Sequence, residues 1–72
     1  MTLENKIYDC IRIIEKKYSC TTNFAVSYLA HEHRWEASIH TDDGEFEHIT
    51  VGQTVVDAVD NILKSLQKYD SR

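Results

Sequence analysis

The chain has no proline and only two glycines, Gly44 and Gly52. These two residue types interrupt regular structure most strongly, so each glycine marks a change of direction and the rest must form long elements. Beyond Gly52 the pattern is helical. Val55, Val59, Ile62, Leu63, Leu66 and Tyr69 recur on one face, with Val56 at its margin, and Asp57, Asp60, Asn61, Lys64 and Lys68 occupy the other. The spacing predicts a helix over 54–69. Thr54 with Asp57 resembles a capping box with Asp in place of the longer Glu, and Lys64 and Lys68 suit the negative end of the helix dipole.

A second helix is predicted over 2–18. Leu3, Ile7, Cys10, Ile11, Ile14 and Tyr18 fall in one apolar stripe, Thr2 is placed to cap it, and Glu4 suits its positive end. The opposite face carries Lys6, Asp9, Lys16 and Lys17. Ile13 projects among them, either as an isolated exposed isoleucine or as a contact with a second copy of the chain.

Between the helices the period changes to two. Strands are predicted over 20–30, 34–40 and 45–51. Phe24, Val26 and Tyr28 alternate with Ala25, Ser27 and Leu29, and Trp35, Ala37 and Ile39 point away from Arg34, Glu36, Ser38 and His40. His31-Glu32-His33 joins the first two strands. Thr41-Asp42-Asp43-Gly44 reads as a type I turn ending in a left-handed Gly44, within a three-residue loop. That loop sets residue 39 opposite 47, 37 opposite 49 and 35 opposite 51. Trp35, Ala37, Ile49 and Val51 then share the core face, and Glu36, Ser38, His40, Phe46 and His48 face outward. A loop of two or four residues reverses the third strand and sends Phe46 to the core. The order α-β-β-β-α implies an α+β fold in two layers: a three-stranded antiparallel meander with both helices packed on one face and the other face bare.

At 72 residues the chain is one domain over 1–72. A domain of this size buries roughly 60% of its unfolded surface, which favours association. No apolar run approaches the roughly 20 residues of a membrane span. The start Met1-Thr2-Leu3-Glu4-Asn5-Lys6 lacks a signal-peptide pattern. Two cysteines, Cys10 and Cys20, make a poor disulfide framework and form no CxxC pair; Cys10 lies on an apolar stripe as a buried thiol would. These features together point to the cytoplasm. Motifs for acyl transfer, zinc proteolysis and phosphate binding are lacking, so no enzymatic activity and no cofactor is expected. His31, His33, His40 and His48 are close in sequence, but a metal site needs three or four converging ligands and only His31 and His33 pair, so no metal is expected either.

Charge is distributed unevenly. Residues 31–60 hold eight acids (Glu32, Glu36, Asp42, Asp43, Glu45, Glu47, Asp57, Asp60) and one base, Arg34, for −7; the chain as a whole is −4, so the remainder is +3. Such a surface keeps a small protein soluble, and it also steers a basic protein toward it. The outward-facing Phe46 is a natural anchor for such a contact.

The α-β-β-β-α order is similar to that of double-stranded-RNA-binding domains. In that family lysines at the start of the second helix clamp phosphates. The matching segment here, Gln53-Thr54-Val55-Val56-Asp57-Ala58, carries an aspartate and no lysine, which argues against nucleic acid as the partner. Over residues 23–69 the chain also resembles HicB-like antitoxin domains. The resemblance rests on Phe24-Ala25-Val26, Trp35-Glu36-Ala37, Gly52-Gln53-Thr54 and Asp57-Ala58 with Asn61-Ile62; the family's Asp-Leu-Pro-Gly loop is missing and the helix over 2–18 is extra. It implies a small protein that binds and neutralises a partner protein. The expectation is therefore a non-enzymatic inhibitor-, antitoxin- or immunity-type module, of a kind that phages direct against nucleic-acid-binding defence effectors. Glu36, Asp42, Asp43, Glu45, Phe46, Glu47 and His48 would contact a basic partner. A degenerate nucleic-acid-binding module and a homodimer built through Ile13 or an unpaired edge strand are the alternatives.

Overall fold

A computed structural model of the protein describes residues 2–70, with the backbone alone at Asp70. The elements are α1 (Leu3–Tyr18), β1 (Thr22–Leu29), β2 (Arg34–Thr41), β3 (Glu47–Gly52) and α2 (Val55–Asp70). Local chemistry sets the helix ends. Thr2 Oγ1 accepts the Asn5 N–H at 3.1 Å, and left-handed Ser19 closes α1 by donating its N–H to the Glu15 carbonyl at 2.8 Å. Thr54 Oγ1 accepts the Asp57 N–H at 3.1 Å at the start of α2.

The three strands form one antiparallel sheet in the order β1-β2-β3. Both helices lie on one face, α1 over β1 and β2, and α2 over β2 and β3. Ala37 and Ile39 project from the central strand into a cluster with Cys10, Ile13 and Ile14 of α1 and Ala58, Val59, Ile62, Leu63 and Leu66 of α2. Among the described residues no element covers the opposite face of the sheet, and the fold is the expected two-layer α+β arrangement.

Two expectations fail, each for a physical reason. The first concerns Ile13, which is 4% exposed and belongs to the core rather than to a dimer contact. A single apolar stripe assumes one packing partner, but α1 packs against the sheet and α2 together. Its buried arc therefore extends round to Ile13. Lys6 lies two turns away on the same side of the helix, and its Nζ reaches Asp60 Oδ1 of α2 at 2.7 Å.

The second concerns the register of β3. Ile39 pairs with His48, Ala37 with Thr50 and Trp35 with Gly52, one residue beyond expectation. The β2–β3 loop is four residues, 42–45. The type I turn is present, with the Gly44 N–H donated to the Thr41 carbonyl at 3.0 Å and Gly44 at φ +75°. Glu45 is the extra residue, and side chains accommodate it. Thr41 Oγ1 donates to Asp43 Oδ1 at 2.8 Å and accepts the Phe46 N–H at 3.1 Å, while Asp43 Oδ1 also accepts the Glu45 N–H at 2.9 Å. Thr41 is 1% exposed, so this network satisfies a buried hydroxyl as well as the loop. A one-residue shift exchanges the faces of the whole strand. Ile49 and Val51 therefore lie on the bare face, and Phe46 and His48 point toward the helices.

Gly52 ends β3 against α2. A Cβ there would lie 2.5 Å from the Ala58 nitrogen and 2.7 Å from Asp57 Cβ. Two hydrogen bonds fasten the same junction: Thr50 Oγ1 donates to the Ala58 carbonyl at 2.7 Å, and Asn61 Nδ2 donates to the Val51 carbonyl at 2.8 Å.

Candidate functional site

The bare sheet face is assembled from alternate residues of each strand. Ala25, Ser38 and Ile49 form one row across it, Ser27, Glu36 and Val51 the next, and Asn23, His40 and Glu47 the row nearest the β2–β3 hairpin. Small residues on β1 and β2 keep the centre shallow. Ile49 stands above it, 50% exposed.

The hairpin adds Asp42, Asp43 and Glu45 beside this face. Two of these carboxylates also have structural work. Asp42 accepts a hydrogen bond from Asn23 Nδ2, tying the hairpin to β1. The Glu45 N–H and then the Thr41 hydroxyl hold the Asp43 carboxyl below the usual aspartate range by stabilising its charge. Neither residue meets a cation among the described residues. Among the described residues the ion pairs are Lys6–Asp60, Arg12–Asp9 and Arg34–Glu32. Exposed Asp42, Asp43, Glu45 and Glu47 and half-buried Glu36 therefore have no counter-charge among the described residues.

The acidic segment is not a single patch. Gly52 pairs with Trp35 at one end of β2, and Phe46 bonds to Thr41 at the other. Asp57 and Asp60, which follow Gly52, thus lie at the end of the sheet opposite the hairpin, and Asp60 is neutralised by Lys6. The negative region that remains is the hairpin with Glu36 and Glu47.

Phe46 and His48, expected on the bare face, are on the helix side. The Phe46 ring lies 5.3 Å from Tyr18 and 6.1 Å from Tyr69, closing the core at the hairpin end. Lys17 Nζ sits 5.2 Å from the centre of the Tyr69 ring, capping that cluster with a cation–π contact. His48 is beside Phe46 at 6.5 Å, and its Nε2 is buried without a hydrogen-bond partner. His31 and His33 lie in the β1–β2 connection, whereas His40 pairs with Asn23 near the other end of the sheet. No three His, Cys, Asp or Glu side chains converge on a metal-sized space among the described residues. Both cysteines are free thiols, and burial, with Asp9 nearby, pushes the Cys10 thiol up to about 12.

Ile49 and Val51 are the members of the face that sequence reasoning missed. The signal for them was present in Thr41 and Asp43, whose side chains can bridge a four-residue loop. No family model, curated protein or solved structure matches the chain. No helix among the described residues is long and apolar enough to cross a membrane.

Proposed function

We propose that the chain is a non-enzymatic binding module of the inhibitor, antitoxin or immunity type. It acts in the cytoplasm and takes a basic protein on its bare sheet face and β2–β3 hairpin. One observation carries this reading: Glu36, Asp42, Asp43, Glu45 and Glu47 lack a cation partner among the described residues, and they border a face on which half-exposed Ile49 stands in the middle row, on the outer strand β3. Unpaired carboxylates steer a cationic partner and discriminate against acidic ones, while the exposed apolar side chain beside them supplies contact energy. Carboxylates also offer arginine and lysine the counter-charge that phosphates do, so nucleic-acid-binding proteins are the fitting partner class. The free thiols Cys10 and Cys20 support a reducing compartment.

Affinity capture from the cells in which the chain is native tests the proposal. The variant combines Glu36→Lys, Glu45→Lys, Glu47→Lys and Ile49→Ala, and spares the hairpin-forming Asp42 and Asp43. Wild type should retain a basic protein that elutes as salt rises, and the folded variant should retain it at least about tenfold less. Undiminished capture by the folded variant, or retention of acidic proteins alone, refutes it.

A further inference from the structure

The two outer strands of the sheet differ in how their free edges are treated. In an antiparallel ladder the N–H and C=O groups of successive residues point alternately toward the neighbouring strand and away from it. The Asp42 N–H is donated to the Thr21 carbonyl at 2.9 Å, so Thr21, Asn23, Ala25 and Ser27 face β2, and Thr22, Phe24, Val26 and Tyr28 face outward. On β3 the same alternation turns Glu47, Ile49 and Val51 outward.

The β3 edge is blocked. Asn61 occupies the Val51 carbonyl, and Glu47 places a charge at the strand's start. The β1 edge is protected only at its start and carries no charge of its own. Its eight residues, Thr-Asn-Phe-Ala-Val-Ser-Tyr-Leu, carry no charge and no proline, the features that normally keep edges from pairing. Only its first outward residue is occupied, the Thr22 N–H being donated to Glu15 Oε2 at 3.2 Å. That contact also shows which flank of α1 overhangs the edge. Glu4, Tyr8 and Ile11 lie on the same flank as Glu15, and Tyr8 is one of the most exposed large side chains of the protein. Below it, Val26 is 42% and Tyr28 51% exposed, although both point to the helix side of the sheet. The Tyr28 ring packs 5.2 Å from that of Trp35, which holds it in place along the edge.

We infer that β1 pairs antiparallel with β1 of a second copy of this chain, joining two sheets into one of six strands. The occupant follows from the strand itself. Phe24, Val26 and Tyr28 are the three outward residues without a partner, and a twofold axis through Val26 uses all three and no others. Val26 then meets the partner's Val26, and Phe24 meets the partner's Tyr28, both favourable cross-strand combinations. A basic partner would find no counter-charge on β1, whereas a second copy needs none. Antiparallel pairing also sends the two acidic hairpins, which lie at the Thr22 end, to opposite ends of the dimer. The outer strands of the joined sheet are then two copies of β3, already blocked, so the assembly closes at two.

Sedimentation equilibrium and amide hydrogen exchange on the full chain test this. The mass should approach twice 8.4 kDa as concentration rises toward millimolar, with no larger species. The Phe24, Val26 and Tyr28 amides should gain roughly tenfold protection over the same range, and those of Glu47 and Ile49 none. Val26→Lys and Tyr28→Lys, each at a solvent-exposed site, should leave a folded monomer, while Ile49→Lys still dimerises. The exchange measurement needs no variant, so the inference stands or falls even if one lysine variant fails to fold. A wild-type chain monomeric at millimolar concentration, growth past the dimer, or a dimer that survives both edge variants and is lost in Ile49→Lys overturns it.

Discussion

Replacing Gly52 by alanine tests how β3 is held to α2. The new methyl would sit 2.5 Å from the Ala58 nitrogen, 2.7 Å from Asp57 Cβ and 2.8 Å from the Asp57 carbonyl carbon. Two of these neighbours are backbone of a capped helix turn and cannot swing aside. Overpacking of this kind costs about 1–3 kcal/mol. The shift of α2 that accommodates the methyl also strains the Thr50–Ala58 and Asn61–Val51 hydrogen bonds, each contributing about 0.5–1.5 kcal/mol. Together these put the expected loss at about 2–6 kcal/mol, against the roughly 4–11 kcal/mol that a domain of this size holds in total. Gly44→Ala is the internal control. Gly44 has φ +75° and no atom within 4 Å of a built Cβ, so only the left-handed backbone is penalised, by about 1–2 kcal/mol. Urea unfolding followed by circular dichroism should show a lower midpoint for Gly52→Ala at unchanged slope, and its amide shifts should concentrate at Ala58 and Asn61. A Gly52→Ala protein within about 0.5 kcal/mol of wild type, or more stable than Gly44→Ala, would refute the reasoning.

Two further outcomes follow from the packing and the hairpin. Ile13→Ala should destabilise the chain by about 2–4 kcal/mol in the same assay without changing its sedimentation mass, because Ile13 is core; a variant of wild-type stability would return it to the surface. Asp43 has a carboxyl held below its unfolded value of about 3.9, so its contribution is present above that pH and is lost as pH falls through the folded value. Asp43→Asn should therefore lower stability at neutral pH and flatten the acid limb of an unfolding-versus-pH curve, and equal acid limbs would disprove the assignment.

Element order and type were legible because each segment has one dominant period. Thr2, Thr54 and the two glycines punctuate it at the places where the chain turns. What was not legible depended on a partner lying beyond the segment itself. Ile13 looks exposed while α1 is considered alone and becomes core once α2 lies beside it. The β3 register turned on Glu45, and nothing in the alternation of Phe46, His48, Ile49 and Val51 distinguishes the two parities. Phe46 and Ile49 are both plausible core residues, so the decision passed to Thr41 and Asp43, polar side chains whose hydrogen bonds set the loop length. The candidate site was accordingly legible in its charges, Glu36, Asp42, Asp43, Glu45 and Glu47, and not in its apolar members Ile49 and Val51.

The fastening of β3 bears on how Ile49 would meet the proposed partner. The strand beneath it is bolted to α2 at Thr50, Val51 and Gly52, so under the proposed function the platform is ordered before a partner arrives. A visitor need not freeze the floor it lands on, and little entropy is surrendered on docking. Loosening those bolts would weaken the proposed recognition by the ordering entropy then lost on docking, even with every surface side chain left intact.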